Sequence, residues 1–190
     1  MAVGLTIIIL VAVALLAVVI IAWAIGLYNA FVRLRNDINK AIGNIDVLLK
    51  QRHDELPKLI NTVKGYMKHE RGTLIELVKL RNAWVTTQTL PQKARISNQI
   101  SAALKTIFAV AENYPQLRAS ENFKQLQERI SGLENEIADR REFYNDAVNT
   151  FNIKIESFPD KIIAGFMKLT QPREMFKATE EERKDVEVKF

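Results

Sequence analysis

The chain has 190 residues, with 27 Lys and Arg against 22 Asp and Glu, a formal net charge of +5. That length holds one membrane anchor and one further domain, and its basic residues are interspersed with acids, so the excess suits an anionic membrane surface and nucleic acid is not an expected partner. No cysteine is present, which excludes disulfides, thiol catalysis, thiolate metal sites and a bacterial lipoprotein anchor, while only seven Gly and five Pro favour long helices over turns.

Residues 1–4 form a short N-terminal extension. Leu5 to Gly26, "LTIIILVAVALLAVVIIAWAIG", carries no charge, and roughly 20 apolar residues in a helix cross a hydrocarbon core of about 30 Å. A transmembrane helix is therefore predicted over 5–27. "AWA" at Ala22–Ala24 formally resembles a signal-peptidase site, but no Lys or Arg precedes the run, and the run exceeds the usual apolar region of a signal peptide, so the span is expected to be retained. Trp23 and Tyr28 are placed at the headgroup level. Arg33, Arg35 and Lys40 follow the span and no basic residue precedes it. The positive-inside rule then predicts a single pass in the inner or plasma membrane, N-terminus outside and the rest cytoplasmic.

Residues 28–158 read as a helical domain. Phe31, Leu34, Ile38, Ala41, Ile45 and Leu48 recur three and four apart, so the span is expected to continue as one helix to about Arg52. "HDELP" is read as a tight corner, with Pro57 in a first helical turn capped by Asp54. The next helix carries Leu56, Ile60, Val63, Met67, Leu74, Leu77 and Val78. Pro91 opens a third helix with Thr89 as its cap, and Pro115 ends it. A fourth starts near Ser120, with the heptad seam Phe123, Leu126, Ile130, Leu133, Ile137, Arg140, Tyr144, Ala147 and Phe151. The expected fold is all-α, an N-terminal transmembrane helix continuing into an antiparallel four-helix bundle of long helices.

Chemistry is sparse. "HER" at His69–Arg71 lacks the second histidine of H-E-x-x-H, since Thr73 stands there. The two histidines, His53 and His69, follow Lys50 and Tyr66 at the spacing where a di-iron bundle needs Glu. No P-loop or nucleophile elbow occurs, so no catalytic, metal or cofactor residue is assigned and a non-enzymatic protein is expected. Arg35, Glu70 and Arg140 occupy or border apolar seams. Folding about a corner near Asp54 brings them within roughly 9 Å along the helix axes. They are expected to form a polar layer, read as a key for helix register or as a ligand or switch site, with simple snorkelling at the surface as the alternative.

Residues 159–176 form an amphipathic segment in which Ile162, Ile163, Phe166, Met167 and Leu169 share a face near Lys161, Lys168 and Arg173; it is expected either at the lipid interface or packed on the bundle. Residues 177–190 are a charged tail ending in "VEVKF". The alternation of Val186, Val188 and Phe190 is read as a docking strand for a partner, against a terminus without fixed structure or one packed on the chain's own bundle or a neighbouring copy.

"YNAFVRLRNDINKAIGNIDVLLKQRHDELPKLINTVKGYMKHE" and "NYPQLRASENFKQLQERISGLENEIADRREFYNDAVNTFN" resemble the LemA family, with one departure: "AIGN" at Ala41–Asn44 replaces a segment that usually holds a tryptophan. The resemblance implies a membrane-anchored helical domain, N-terminus outside, with no defined reaction. Its members are often encoded beside membrane metalloproteases of the HtpX type, which makes such a protease a candidate partner. The expected role is a membrane scaffold or adaptor that forms a homo-oligomer. The alternative is a protein that binds or remodels the lipid bilayer through residues 159–176.

Overall fold

The structure is a computed structural model describing residues 2–67, 70–87 and 89–176. Among these residues all regular structure is helical: α1 Ala2–Lys64, α2 Arg71–Thr86, α3 Leu90–Ala111, α4 Pro115–Ala119, α5 Glu121–Glu156 and α6 Asp160–Phe166. They divide into two compact units. Among the described residues, the first takes 2–42 and 143–175; the second takes those of 43–142 and Phe176.

In the first unit, the aliphatic side chains from Val3 to Ile25 are exposed, and the most apolar stretch is not buried at all. An apolar surface of that extent is unstable in water but satisfied in hydrocarbon, so this helix is consistent with single-pass membrane anchoring. The unit's own core begins at Phe31 and includes Ile38, Ala41, Tyr144, Val148, Phe151, Ile155 and Ala164. Ala41, at the point of departure from the family pattern, is fully buried as a small residue.

The amphipathic segment forms a shorter helix than its apolar pattern suggests. α6 ends at Phe166, where Lys168 takes φ 56. The amides of Lys168 and Leu169 then bond to the carbonyls of Gly165 and Ala164, the paired bonds of a Schellman terminus. The chain beyond runs along α5 as a strap. Asn152 exchanges two hydrogen bonds with the backbone of Arg173, at 2.8 and 2.9 Å, and the Tyr144 hydroxyl donates to the Glu174 carbonyl at 3.0 Å. Burial pushes the Tyr144 phenol above its ordinary value of 10.0; Arg173 opposes this and Glu174 adds to it. A raised folded pKa means stability that is full below the unfolded value and is lost as pH rises through the folded one. The full chain is therefore expected to lose thermal stability more steeply above about pH 10 than Tyr144→Phe, as read by melting temperature across an alkaline pH series.

The second unit centres on Leu56, Leu59, Val63, Met67, Leu77, Ile100, Leu104, Ile107, Leu117, Phe123 and Ile130. Two boundaries follow the sequence. α3 opens with Pro91 in its first turn and Thr89 at the cap position, although the Thr89 side chain makes no capping bond; α5 starts at Glu121, one residue after Ser120. The corner at "HDELP" is corrected. α1 runs through Pro57 to Lys64, and the break falls instead between Gly65 and Glu70. A mid-helix proline costs about 3 kcal/mol. Leu56, Leu59 and Val63 are each fully buried on the same helix, at about 2 kcal/mol apiece, and that burial outweighs the cost.

Candidate functional site

The second unit holds a buried charged cluster. On α1 the buried positions run Ile45, Leu48, Leu49, Arg52, Leu56, Leu59 and Val63, so an arginine fills an apolar seam position. Arg52 is 1% exposed. Its Nη1 donates to the Ser101 hydroxyl at 2.9 Å and to Glu134 Oε1; its Nη2 donates to Ser97 Oγ at 2.7 Å and to the Ser97 carbonyl at 3.2 Å. Both terminal nitrogens thus use their full donor capacity. The Ser101 hydroxyl donates to Glu134 Oε2 at 2.6 Å, which ties α3 to the same carboxylate. A second guanidinium closes the cluster: Arg141 donates to Ser97 Oγ at 2.7 Å and to Asn98 Oδ1 at 2.8 Å. Two cations, one carboxylate and two serines join α1, α3 and α5. Arginine supplies donors only, so the cluster fixes register and offers no acid–base pair.

The polar layer expected from Arg35, Glu70 and Arg140 is placed differently. Arg35, in the first unit, and Arg140, in the second, are exposed; Glu70 is half-buried in the cap position of α2. The α5 seam steps from Ile137 to Tyr144, and between them Arg141, not Arg140, turns inward. His53 stacks on Trp84, with centroids 4.8 Å apart, and Lys93 lies 5.0 Å from the same indole while bonded to Asp46. His69 lies outside the described residues. Among those residues no group of three or more His, Asp or Glu is disposed to hold a metal ion.

The first unit carries the residues expected at the membrane interface. Trp23 and Tyr28 are about half exposed. Ile162 is exposed, Phe158 and Phe166 reach 82% and 83%, and Ile163 and Met167 are half-buried. A groove of about 600 Å³ runs between α1 and the α6 region, with Tyr28, Arg35, Ile163 and Met167 in its wall. Val186, Val188 and Phe190, the expected docking strand, lie outside the described residues.

A family model, that of the LemA family, matches residues 41–190. The chain belongs to the LemA family. It is similar to Protein LemA of Metamycoplasma hominis, 33% identical over 168 residues, which covers 86% of this chain and 74% of that protein. It is also similar to Magnetosome protein MamQ 2 of Paramagnetospirillum magneticum, 24% identical over 173 residues, 77% of this chain and 64% of that one. Magnetosome protein MamQ of Magnetospirillum gryphiswaldense is 20% identical over 158 residues, 70% and 58% of the two chains. The match spans less than two thirds of either magnetosome protein. The LemA resemblance carried by the motifs at 28–70 and 113–152 is thus borne out. The family match begins at Ala41, so it does not reach the apolar span, which rests on the chain's own composition.

Proposed function

We propose that this LemA-family chain is a membrane-anchored, non-enzymatic scaffold. Its long helices form an antiparallel bundle on the cytoplasmic side and hold other proteins, copies of itself among them. α2 supports this most directly. Leu74 and Leu77 are buried, and Ile75, Val78 and Val85 continue the apolar stripe onto exposed surface. An apolar stripe wider than the buried contact is the form in which a helix takes a further helix. The partners to test are a second copy and a membrane metalloprotease of the HtpX type. Crosslinking in native membranes, followed by mass spectrometry, is expected to capture one of them on the wild-type chain. Ile75→Glu/Val85→Glu should lower that yield about tenfold, as expected for the loss of about 1.4 kcal/mol of apolar contact, with no change in melting temperature. An unchanged yield sinks the α2 surface. Active alkaline phosphatase fused after Phe190, with a silent cytoplasmic reporter, would reverse the topology.

A second reading places residues 158–167 at the lipid interface. The exposed Phe158, Ile162 and Phe166 beside Lys161 favour it. Because the chain has no cysteine, Phe158→Cys gives a single labelling site. An environment-sensitive dye there is expected to be quenched by brominated lipid in liposomes, and a label at Val85→Cys is not. Equal quenching at the two positions would remove this reading.

A further inference from the structure

The geometry points to a binding site for one anionic phospholipid in the groove between α1 and the α6 region. The inference rests on the interfacial reading of residues 158–167 and adds a ligand to it. At one end the groove is walled by Ile21, Ala24 and Ile25, on the stretch of α1 that is apolar enough to cross a membrane. Phe166 faces them from α6, and Arg35, the one charged residue among the described residues of the wall, stands at the other end.

From Ile21 to Arg35 is about 21 Å along a helix. One leaflet, hydrocarbon plus headgroup, is about 20–22 Å thick. Side chains on a helix lean toward its N-terminus, so the Arg35 guanidinium reaches back toward the level of Tyr28, where an amphipathic ring meets the headgroups. The groove therefore has the polarity of a single lipid and fits within the depth of one leaflet, an acyl slot below and a phosphate donor above. Among the described residues of its wall there is no carboxylate to repel an anion. A guanidinium gives phosphate paired, charge-assisted hydrogen bonds. A helix from a second copy would fill the apolar end and leave Arg35 without a counter-charge, which is why a lipid is the better occupant.

The test uses the full chain, solubilised in mild detergent with equal phosphatidylglycerol and phosphatidylcholine and weighed by native mass spectrometry. One phosphatidylglycerol per chain is expected, in clear preference to phosphatidylcholine. Arg35→Gln should lower its retention about tenfold or more, the loss of one charge-assisted contact. Ala24→Phe, which fills the slot without touching charge, should lower it as well. Arg33→Gln, a neighbouring arginine outside the wall, should leave it unchanged. No retained lipid, equal retention of the two lipids, or indifference to either Arg35→Gln or Ala24→Phe would overturn the site. A change of oligomeric mass in Ala24→Phe would assign the groove to a second copy and overturn it too. The label at Phe158→Cys separates the two ideas. A quenched label without retained lipid ends the site and leaves the interfacial contact, whereas an unquenched label ends the interfacial reading on which the site rests.

Discussion

Glu134→Ala is expected to lower the unfolding free energy of the full chain by about 3–5 kcal/mol, the cost of leaving a buried charge without its partner. The size of the effect comes from Arg52 rather than from Glu134. The carboxylate is 27% exposed, and water could solvate it alone; the guanidinium is 1% exposed, and water could not. The reverse truncation should therefore cost less. Arg52→Met keeps the length and apolar stem of the side chain and leaves a carboxylate that solvent reaches, together with the Ser101 hydroxyl, which keeps Glu134 or the Ser97 carbonyl as its acceptor, and the Ser97 hydroxyl, which still accepts from Arg141. Replacing both, Arg52→Met/Glu134→Met, should come closer to neutral than either single change, as buried pairs exchanged for apolar groups commonly do. Urea unfolding followed by far-UV circular dichroism gives all three values. If Glu134→Ala costs under about 1 kcal/mol, in the range of an exposed pair, the serines alone hold Arg52 and the ion pair does not set the register. The exposed Lys50–Asp54 pair on the same helix serves as an internal reference in that range.

Arg52 also shows where the sequence could and could not be read. The buried positions on either side of it keep the three-and-four spacing from Ile45 to Val63 without interruption, so an unbroken reading of α1 finds Arg52 on the apolar seam at once. Reading Pro57 as the start of a helix hides it, because the arginine then falls at a helix end where charge is ordinary. The layer of Arg35, Glu70 and Arg140 depends on the same corner, through which α1 instead runs unbroken to Lys64. On α5 a strict heptad selects Arg140, while the helix passes from Ile137 to Tyr144 with Arg141 turned inward; one residue, about 100° on the helix, separates an exposed side chain from a buried network. By contrast, the apolar span, the opening of α3 by Pro91 and the start of α5 depend on signals local to a few residues and were legible. The strap after α6 was not. It is held by side chain to backbone bonds between Asn152 and Arg173, and such pairings across sequence leave no periodic trace.

Phe151→Ala is expected to be about as costly as the Glu134 change, at about 3–5 kcal/mol for a fully buried phenylalanine, and to have a local signature besides. Phe151 is buried in the first unit and meets Phe31 edge to face, with ring centroids 6.4 Å apart and planes at 86°. The guanidinium of Arg173 lies 5.3 Å from the centre of the same ring, and Asn152, the next residue, holds the Arg173 backbone. One aromatic side chain thus supports both the close packing of α1 on α5 and the seat of the strap. Truncation removes the apolar contact with Phe31 and the ring face beneath Arg173 together, so the strap should loosen at a free energy below that of global unfolding. Phe123→Ala is the matched comparison. It deletes the same atoms from an equally buried site in the second unit, where Phe123 packs on Phe108 at 6.3 Å. Limited trypsinolysis of the detergent-solubilised chain under native conditions should cut after Arg173 several times faster in Phe151→Ala than in Phe123→Ala, while the two lose similar melting temperature. Equal cleavage rates would mean that the strap opens only when the whole chain unfolds, and that Phe151 stabilises the fold without fastening the segment that follows α6.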